Sequence, residues 1–311
     1  MPAAPRKPKL IIVLGPTGVG KSKAAIDLAQ DIDAEIVNGD SQQVYRYLDI
    51  GTGKPSREER RAVRHHLIDI ADPDDEFNAA LFRAAAWKAV REIEARKKPV
   101  IVCGGTGLYI KALTHGLFSA PPRNGDIRKS LEEEAQRHGM DILHDRLRRV
   151  DPEAASRIHP NDRQRTLRAL EVFAATGRPI SQWQREHAFK EGSFETLKIG
   201  LERDRKELYA LIDRRCQEMV SAGLLEELRG LLSRGYGLDL RPLRSVGYRH
   251  MGLVISGAAN LDEALSLMRR DTRRLAKRQL TWFRADKELR WFHPEGTKEE
   301  IAKLIDEFLA M

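Results

Sequence analysis

Residues 15–22 read Gly15-Pro16-Thr17-Gly18-Val19-Gly20-Lys21-Ser22, a full match to the phosphate-binding loop pattern G-x-x-x-x-G-K-[ST]. An apolar, β-branched run at 10–14 precedes this loop, and residues 23–30 follow it with apolar side chains at helical spacing. Strand, loop and helix therefore occur in the order that such a loop requires. We expect the loop amides and Lys21 to hold a di- or triphosphate, and Ser22 to bind Mg²⁺ with waters and phosphate oxygens. The loop itself does not say whether that phosphate belongs to a nucleotide.

The first part of the chain alternates strand and helix patterns. Strands are predicted at 35–38, 66–70 and 99–103, and a helix at 78–96 with Asn78 as its N-cap. This alternation predicts an α/β fold with a doubly wound, mostly parallel sheet like that of P-loop nucleotide hydrolases.

The pattern changes between residues 118 and 196, which are charged, helical in period and free of strand-like runs. We therefore divide the chain into a first part of the α/β core at 1–117, a helical insertion domain at 118–196, and a core continuation at 197–311. The continuation begins with a predicted strand at 197–201. It is otherwise mostly helical, with helices predicted at 205–222, 224–233, 262–287 and 298–309.

Charge and composition narrow the class of protein. The chain has 311 residues and a formal charge of +8, with much of the cationic excess between 241 and 290, which suggests a polyanionic partner. The two cysteines, Cys103 and Cys216, are far apart and support neither a disulfide framework nor a zinc site. No targeting segment or membrane-spanning apolar run is evident, so we expect a cytoplasmic protein that does not enter a membrane.

Asp40 directly follows the predicted strand at 35–38, where open α/β sheets place ligands. Its carboxylate has three candidate roles. It could hold Mg²⁺ through water, it could act as a general base towards an acceptor, or it could simply cap the next helix at Ser41 or Gln42. The residues alone leave these roles open.

Gly104-Gly105-Thr106-Gly107 follows the predicted strand at 99–103. Small residues there let the backbone approach a ligand, and Thr106 adds a hydroxyl group, although such a turn is a weak signal by itself. No acidic residue ends this strand, which disfavours a nucleotide-driven motor or switch because those proteins carry a metal-binding carboxylate there.

Two basic segments are candidates for nucleic-acid contact. Residues 161–168 place Arg165 and Arg168 one helical turn apart beside Gln164. Residues 243–250 form a turn-like basic cluster, and the helix that follows carries a stripe composed of Arg270, Arg274, Lys277, Arg278 and Thr281 near Tyr248, Trp282 and Phe283. Cations with neighbouring aromatic residues are typical of RNA recognition, whereas a solvated charged face is the alternative for either segment.

Read together, these residues resemble the tRNA dimethylallyltransferase (tRNA isopentenyltransferase) family in its compact bacterial form. The matching segments run in order along nearly the whole chain: 15–22, 40–55, 65–69, 104–109, 161–165, 246–249 and 272–284. Two positions depart from the family pattern, which usually has Met in place of Gln42 and Gln in place of His250.

The resemblance implies that the phosphate-binding loop holds dimethylallyl diphosphate rather than ATP. The enzyme would transfer the dimethylallyl group to the N6 amine of the adenosine 3′ to the anticodon and release diphosphate. Asp40 would be the base, while Lys21, the loop amides, Mg²⁺, Thr106 and either Arg249 or Arg128 would share in neutralising the diphosphate. The partners implied are dimethylallyl diphosphate and the anticodon stem-loop of a tRNA, and we expect a monomer.

The tRNA-contacting positions of the family carry over onto four groups of residues, together with Thr106 and Arg128. The groups are Asp40, Ser41, Gln42 and Gln43; Gln164, Arg165, Thr166, Leu167 and Arg168; Arg244, Ser245, Val246, Gly247, Tyr248 and Arg249; and Asp271, Thr272, Arg273, Arg274, Leu275, Ala276, Lys277 and Arg278.

Three other functions remain possible from the motifs. An adenylate isopentenyltransferase would share the loop but would have little use for the insertion and the basic stripe. A P-loop small-molecule kinase needs an acid near Lys21 and an arginine-bearing lid. A non-catalytic RNA-binding ATPase would explain the loop and the charge while leaving Asp40 and Thr106 without a role.

Overall fold

The computed structural model describes residues 7–117, 124–187 and 192–311. The chain forms two compact units: a main unit of Met1–Thr114 with Ser193–Met311, and a helical unit of His115–Gly192. The predicted insertion at 118–196 extends further at its carboxyl end than the helical unit does. Residues 195 and 196 already belong to a strand of the main unit.

The main unit contains a six-stranded sheet in which every pairing is parallel. Its strands are β1 (Lys9–Leu14), β2 (Glu35–Asn38), β3 (His65–His66), β4 (Val100–Gly104), β5 (Glu195–Leu201) and β6 (Arg290–Phe292), in the spatial order β3-β2-β4-β1-β5-β6. The predicted parallel α/β fold is therefore confirmed. Because all strands run the same way, the carboxyl ends of β1, β2 and β4 lie along one edge.

Helices connect these strands and also build the helical unit. In chain order they are α1 (Lys21–Asp31), α2 (Arg57–Ala62), α3 (Ala79–Ala95), α4 (Gly107–His115), α5 (Gly125–His138), α6 (Met140–Val150), α7 (Pro152–Arg157), α8 (Arg163–Thr176), α9 (Ile180–His187), α10 (Arg205–Ser221), α11 (Leu224–Ser233), α12 (Tyr248–Ile255), α13 (Leu261–Phe283) and α14 (Lys298–Ala310). The N-cap prediction for α3 is confirmed, since the Asn78 side chain accepts hydrogen bonds from the N–H groups of Ala80 and Leu81.

The structure differs from the local predictions at three places. The strand predicted at 66–70 pairs only over His65–His66, because Leu67 and Asp69 adopt positive φ angles of 63° and 58° that a strand cannot contain. The short strand β6 was not predicted. The cluster at 243–250 is turn-like as predicted up to Gly247, with a 3₁₀ turn at Pro242–Arg244, but from Tyr248 it belongs to α12.

Both faces of the sheet are buried, as is usual for a parallel sheet. Ile11 and Ile36 point into one apolar cluster, which includes residues of α1 and α10. Leu10 and Val37 point into a second cluster, which includes residues of α3. The helical unit has its own core, formed mainly by Leu131, Leu143, Leu147, Leu167 and Leu170. None of the helices in the described ranges combines the length and the apolar character that a membrane span requires.

One half-buried carboxylate, that of Glu227, fixes the loop that follows β2. Glu227 accepts hydrogen bonds from the backbone N–H groups of Asp49, Ile50 and Gly51 at 3.0, 2.8 and 3.1 Å. It also accepts the hydroxyl proton of Tyr248 at 2.5 Å, and this tyrosine is fully buried. The carboxylate and the burial together raise the pKa of Tyr248 far above its ordinary value. The loop is thus held against α11 and α12 by four hydrogen bonds to one side chain.

We expect Glu227→Ala to lower the free energy of unfolding by about 2 kcal/mol, because it leaves several donors, including a buried hydroxyl, without an acceptor. Chemical denaturation monitored by circular dichroism measures this change. Glu226→Ala is the matched control, since the neighbouring Glu226 is exposed and pairs with Arg229 only at 3.5 Å. Equal unfolding midpoints for the two variants would contradict the role given to Glu227.

Candidate active site

The phosphate-binding loop lies between β1 and α1, as predicted. Gly15 has a φ of +153°, and a Cβ atom there would lie 2.6 Å from the carbonyl oxygen of Leu201 on β5. Gly18 has a φ of +82°, and its Cβ would lie 2.8 Å from the Ile212 side chain. Both positions therefore exclude other residues on two grounds, conformation and space. The loop is packed tightly against the sheet and α10.

Lys21 begins α1, and its ammonium group points back to the loop, where Nζ donates to the Pro16 carbonyl oxygen at 2.7 Å. Burial lowers the pKa of Lys21 to about 8, and the positive charge of Arg215 contributes in the same direction, whereas Cys103 and Asp40 oppose the shift. An anion bound in the loop would reverse this shift because it would stabilise the charged ammonium group.

Asp40 lies just beyond the carboxyl end of β2. Its backbone N–H donates to the Asn38 side chain at 3.1 Å, and its Oδ1 accepts the N–H of Gln42 at 2.8 Å. The predicted capping hydrogen bond to Gln42 is therefore present, but it closes a turn, because no helix begins here. Within the described residues no protein hydrogen bond engages Oδ2, so capping uses one carboxylate oxygen and leaves the other for a ligand.

Thr106 joins the turn after β4 to the turn after β2. Its Oγ1 accepts the N–H of Ser41 at 3.0 Å, and the two hydroxyl groups of Thr106 and Ser41 are 3.3 Å apart. A Cβ atom on Gly104 would lie 2.3 Å from the backbone of Gly39, so the two strand ends touch through glycine backbone. Thr106 consequently fixes the residue beside Asp40 and does not itself line the pocket described next.

A pocket at this edge of the sheet brings together the loop, Asp40 and two side chains that the sequence analysis did not single out, Arg215 and Gln279. Its polar lining consists of Thr17, Lys21, Ser22, Asn38, Asp40, Gln43, Thr52, His65, Cys103, Arg215 and Gln279. Asp40 is the one carboxylate among the lining residues that the structure describes. Two cations and one acid therefore face the space beside the loop.

Arg215 extends from α10 into the pocket, and its Nη1 lies 3.5 Å from the Thr17 hydroxyl oxygen. Burial lowers its pKa from the ordinary value, against the attraction of Asp40. The sequence held one signal for this residue. Leu208, Ile212 and Cys216 mark the buried face of α10 at four-residue steps, and Arg215 falls on that same apolar face.

Gln279 extends from α13 and bonds to both ligand-facing loops. Its Oε1 accepts the Thr17 N–H at 2.8 Å, and its Nε2 donates to the Gly105 carbonyl oxygen at 2.9 Å. It too is a polar residue on an apolar face, between the buried Ala276 and Phe283. This amide ties the basic helix to the phosphate-binding loop.

Arg249, which the sequence analysis placed among the groups that neutralise diphosphate, is not among the residues that line the pocket. It lies at the start of α12, and its Nη2 pairs with Asp271 of α13 at 2.5 Å. Arg128, assigned the same role, belongs to the helical unit, where it pairs with Glu132 and donates to Gln164 at 2.8 Å. Arg215 occupies the position by the loop that was expected for Arg249.

Four residues predicted to contact tRNA have fully buried side chains, so in this structure only their backbone atoms could be reached by a ligand. These residues are Thr166, Leu167, Tyr248 and Ala276. Tyr248 and Phe283, expected as stacking surfaces, belong to the core, whereas Trp282 is 44% exposed. Arg273 is held by Asp213 of α10. Exposed cations remain at Arg165 in the helical unit and at Arg244, Arg249, Arg274, Lys277 and Arg278 in the main unit.

Two residues depart from the family pattern. Gln42 is itself a predicted tRNA contact, and His250 is adjacent to the predicted contact Arg249. The Gln42 side-chain oxygen is buried and has no hydrogen-bond partner among the described residues. His250 is buried at the first turn of α12, where its Nδ1 accepts the Gly247 N–H at 3.2 Å and its Nε2 lies 3.3 Å from Asp271. His250 thus supports the backbone around Arg249.

The residues of the pocket fit a divalent cation that arrives bound to a diphosphate. They do not fit a metal ion that is held mainly by protein side chains. In the described ranges no three His, Cys, Asp or Glu side chains are grouped to hold a metal ion. Ser22 lines the pocket beside Lys21 and is exposed. Mg²⁺ typically keeps several waters and binds through substrate phosphates with few protein ligands, which fits one hydroxyl group at this place.

Comparisons with known proteins agree with this geometry. A family model described as IPP transferase matches residues 43–286. The chain is 51% identical over 298 residues to the tRNA dimethylallyltransferase of Syntrophobacter fumaroxidans, covering 96% of this chain and 87% of that protein. It is 50% identical over 299 residues to the tRNA dimethylallyltransferase of Geobacter metallireducens, covering 96% and 97%.

Solved structures give the same result. The tRNA isopentenylpyrophosphate transferase of Bacillus halodurans is similar with a TM-score of 0.73 and 38% identity, covering 98% of this chain and 97% of that one. A eukaryotic dimethylallyltransferase acting on tRNA is similar with a TM-score of 0.81 and 26% identity, covering 97% and 80%.

The lowered pKa of Lys21 predicts the pH dependence of anion binding. Between pH 8 and the ordinary lysine pKa of 10.5 the free protein loses the Lys21 charge, so we expect the dissociation constant for inorganic diphosphate to rise by up to about tenfold per pH unit. Lys21→Arg should flatten this profile, because arginine stays charged. Isothermal titration calorimetry from pH 7 to 10 measures both.

Titration of Lys21 changes the stability of the fold in the opposite direction, so unfolding through this group cannot explain weaker diphosphate binding at high pH. A lysine with a lowered folded-state pKa binds its proton more weakly in the folded protein, so its contribution to stability grows from pH 8 to 10.5 and is lost as the pH falls through 8. A diphosphate affinity that stays constant up to pH 10 in the unmodified protein would contradict the assignment.

Proposed function

The chain belongs to the IPP transferase family of tRNA dimethylallyltransferases, and we propose that it transfers the dimethylallyl group of dimethylallyl diphosphate to a tRNA adenosine. The acceptor is the N6 amine of the adenosine 3′ to the anticodon, and diphosphate is released. The observation that carries the proposal is the pocket itself, in which a phosphate-binding loop with two cations faces a single carboxylate.

The departing diphosphate is the main electrostatic demand of this reaction. When the allylic C–O bond breaks, the electron pair leaves with the diphosphate, and the carbon fragment is stabilised by resonance. Lys21, Arg215 and the loop amides are positioned to receive that negative charge. Mg²⁺ held by Ser22, waters and diphosphate oxygens would supply further positive charge.

Asp40 is proposed as the general base. As the new C–N bond forms, the exocyclic amine must lose a proton, and the Asp40 carboxylate accepts it. The hydrogen bond from Gln42 fixes Oδ1, so the orientation of Oδ2 is set before the acceptor arrives. Thr106 acts through Ser41, whose backbone N–H it holds, and is therefore a positioning residue.

The acceptor is proposed to enter as a base flipped out of the anticodon loop, since a stacked adenosine cannot present its amine in a pocket. Exposed cations of α13 supply phosphate contacts, as do those of 164–168 in the helical unit. We propose that the protein acts as a monomer, and a tRNA substrate fits a cytoplasmic location.

One assay separates this function from its alternatives. The protein is incubated with labelled dimethylallyl diphosphate or labelled ATP, and with tRNA or AMP as acceptor. We expect label from dimethylallyl diphosphate on tRNA, at the adenosine 3′ to the anticodon. Label on AMP alone would indicate an adenylate isopentenyltransferase, phosphoryl transfer from ATP a kinase, and ATP hydrolysis without either transfer an ATPase.

Asp40→Asn tests the base directly, because asparagine keeps the oxygen that accepts the Gln42 N–H but cannot take a proton. We expect the single-turnover rate to fall by roughly 10²-fold or more, with tRNA affinity nearly unchanged. Rapid-quench kinetics and filter binding measure the two quantities. An unchanged rate would exclude Asp40 as the base.

The double variant Arg274→Ala/Lys277→Ala tests the exposed stripe of α13. We expect weaker tRNA binding and a decrease of roughly 1 to 2 in the slope of log affinity against log salt concentration, because each phosphate contact contributes about one released counterion. Arg229→Ala/Lys303→Ala removes the same charges from exposed positions on α11 and α14. If both double variants gave the slope of the unmodified protein, the stripe would be only a solvated face.

A further inference from the structure

A second pocket of the main unit lies between α10 and α13, separate from the pocket that contains Asp40. It has a volume of about 270 Å³. The residues that matter here are Arg205 and Tyr209 on α10 with Lys277, Leu280, Thr281 and Arg284 on and just after α13. We call it the α10–α13 pocket. It shares no lining residue with the active-site pocket.

Its cations differ in how strongly the protein already binds them. Arg203, the innermost, is only 9% exposed, pairs with Glu207 and Glu295, and donates to the carbonyl oxygen of Val19 in the phosphate-binding loop. The guanidinium group of Arg203 is therefore already bound by protein groups. Arg284 is 63% exposed and makes one ion pair, with Glu202 at 3.0 Å, of the exposed kind that contributes little.

Arg205 is the distinctive cation of this pocket. Its guanidinium lies 5.2 Å from the centre of the Tyr209 ring, a cation–π contact that orients it. Among the described residues it forms no ion pair, and the same holds for Lys277. The acids nearest to it in sequence have other partners: Asp204 accepts the N–H of Lys206, and Glu207 pairs with Arg203 and His293.

The pocket also continues the exposed stripe of α13. Arg270, Arg274, Lys277, Thr281 and Arg284 recur at steps of three and four residues, which places them along one side of the helix. At 1.5 Å per residue this line is roughly 21 Å long, which is long enough for several phosphates of one RNA strand. Arg205 is added to the carboxyl end of the line from a different helix.

We propose that the α10–α13 pocket binds a phosphodiester group of the tRNA substrate, at a nucleotide other than the modified adenosine. Arg205 and Arg284 contact the phosphate oxygens, since a planar guanidinium matches two of them at once, and Tyr209 holds Arg205 in place. No lining residue of the pocket is acidic, which suits an anion. This inference rests on the proposed function, which supplies a tRNA as the polyanion.

The test compares Arg205→Ala, Arg284→Ala and the double variant with Arg229→Ala. Arg229 is a matched control because it is 60% exposed on α11 and, like Arg284, pairs with one glutamate. We expect each pocket variant to raise the KM for tRNA about 3- to 10-fold with kcat unchanged, because such a contact is equally strong in the ground and transition states. We expect each to lower the salt slope of tRNA binding by about 1.

Two further variants separate phosphate contact from a purely structural role. Arg205→Lys keeps the charge and should retain the salt slope. Tyr209→Leu removes the cation–π contacts of this ring with Arg205 and Arg273, and it should raise the KM without changing the slope. Pocket variants that bind tRNA with the affinity and salt slope of Arg229→Ala would overturn the proposal. So would an Arg205→Lys variant with the reduced slope of Arg205→Ala.

A free phosphate compound is the other source of the same ligand chemistry. If the pocket bound free diphosphate instead, the variants would raise the KM for dimethylallyl diphosphate and leave that for tRNA unchanged, which would also overturn the proposal. Filter binding of tRNA needs no turnover. It therefore tests the pocket even if the unmodified protein transfers no dimethylallyl group, an outcome that would contradict only the proposed function.

Discussion

The side-chain amide of Gln279 connects the two halves of the site. One end binds the backbone N–H of Thr17 in the phosphate-binding loop, and the other binds the carbonyl oxygen of Gly105 after β4. A residue that must point inward fixes the rotation of its helix about the helix axis. With Gln279 facing the loops, Arg274 and Lys277 face solvent. The same contact that closes the pocket therefore presents the cations of α13 on the outside.

The electrostatics of the pocket follow from its burial. Lys21 and Arg215 are both desolvated, and the pKa of each is lowered in consequence. The pKa of Lys21 falls from 10.5 to about 8, which corresponds to a free-energy cost of about 3 kcal/mol for keeping its ammonium group charged in the pocket. A bound polyanion removes that cost. Anion affinity therefore depends on cations whose charge is only partly balanced in the free protein, by Asp40 near both and by Glu218 near Arg215.

The sequence predicts the parts of this structure that follow periodic rules. The loop, the parallel sheet, the Asn78 cap and most helices of the carboxyl half were predictable because strand and helix periods and capping residues act locally. Asp40 was also found, because an acid at the carboxyl end of a parallel strand must face the ligand edge. These inferences need no knowledge of distant partners.

Arg215, Gln279 and Tyr248 show why the remainder was missed. Arg215 and Gln279 are polar residues on apolar helix faces, and their meaning depends on which loop packs opposite each helix. Tyr248 stands among Arg244 and Arg249, so its neighbours in sequence suggested a surface, while the acceptor that keeps it buried is Glu227, 21 residues earlier. The residues adjacent in sequence show only whether a segment is polar or apolar. Whether a side chain is buried depends on the residues that pack against it from other helices and strands.

The close backbone contact between the ends of β2 and β4 explains why the phosphate-binding loop can hold a diphosphate leaving group. In P-loop hydrolases an acid at the end of a neighbouring strand binds the metal. Here β4 ends in Gly104, and even a Cβ atom there would lie 2.3 Å from the Gly39 backbone. No side chain fits at that point, and the acid that lines the pocket is Asp40, just beyond β2, which Asn38 and Gln42 already orient. A carboxylate in this place lies beside the loop, where an acceptor amine would meet the allylic carbon as diphosphate departs.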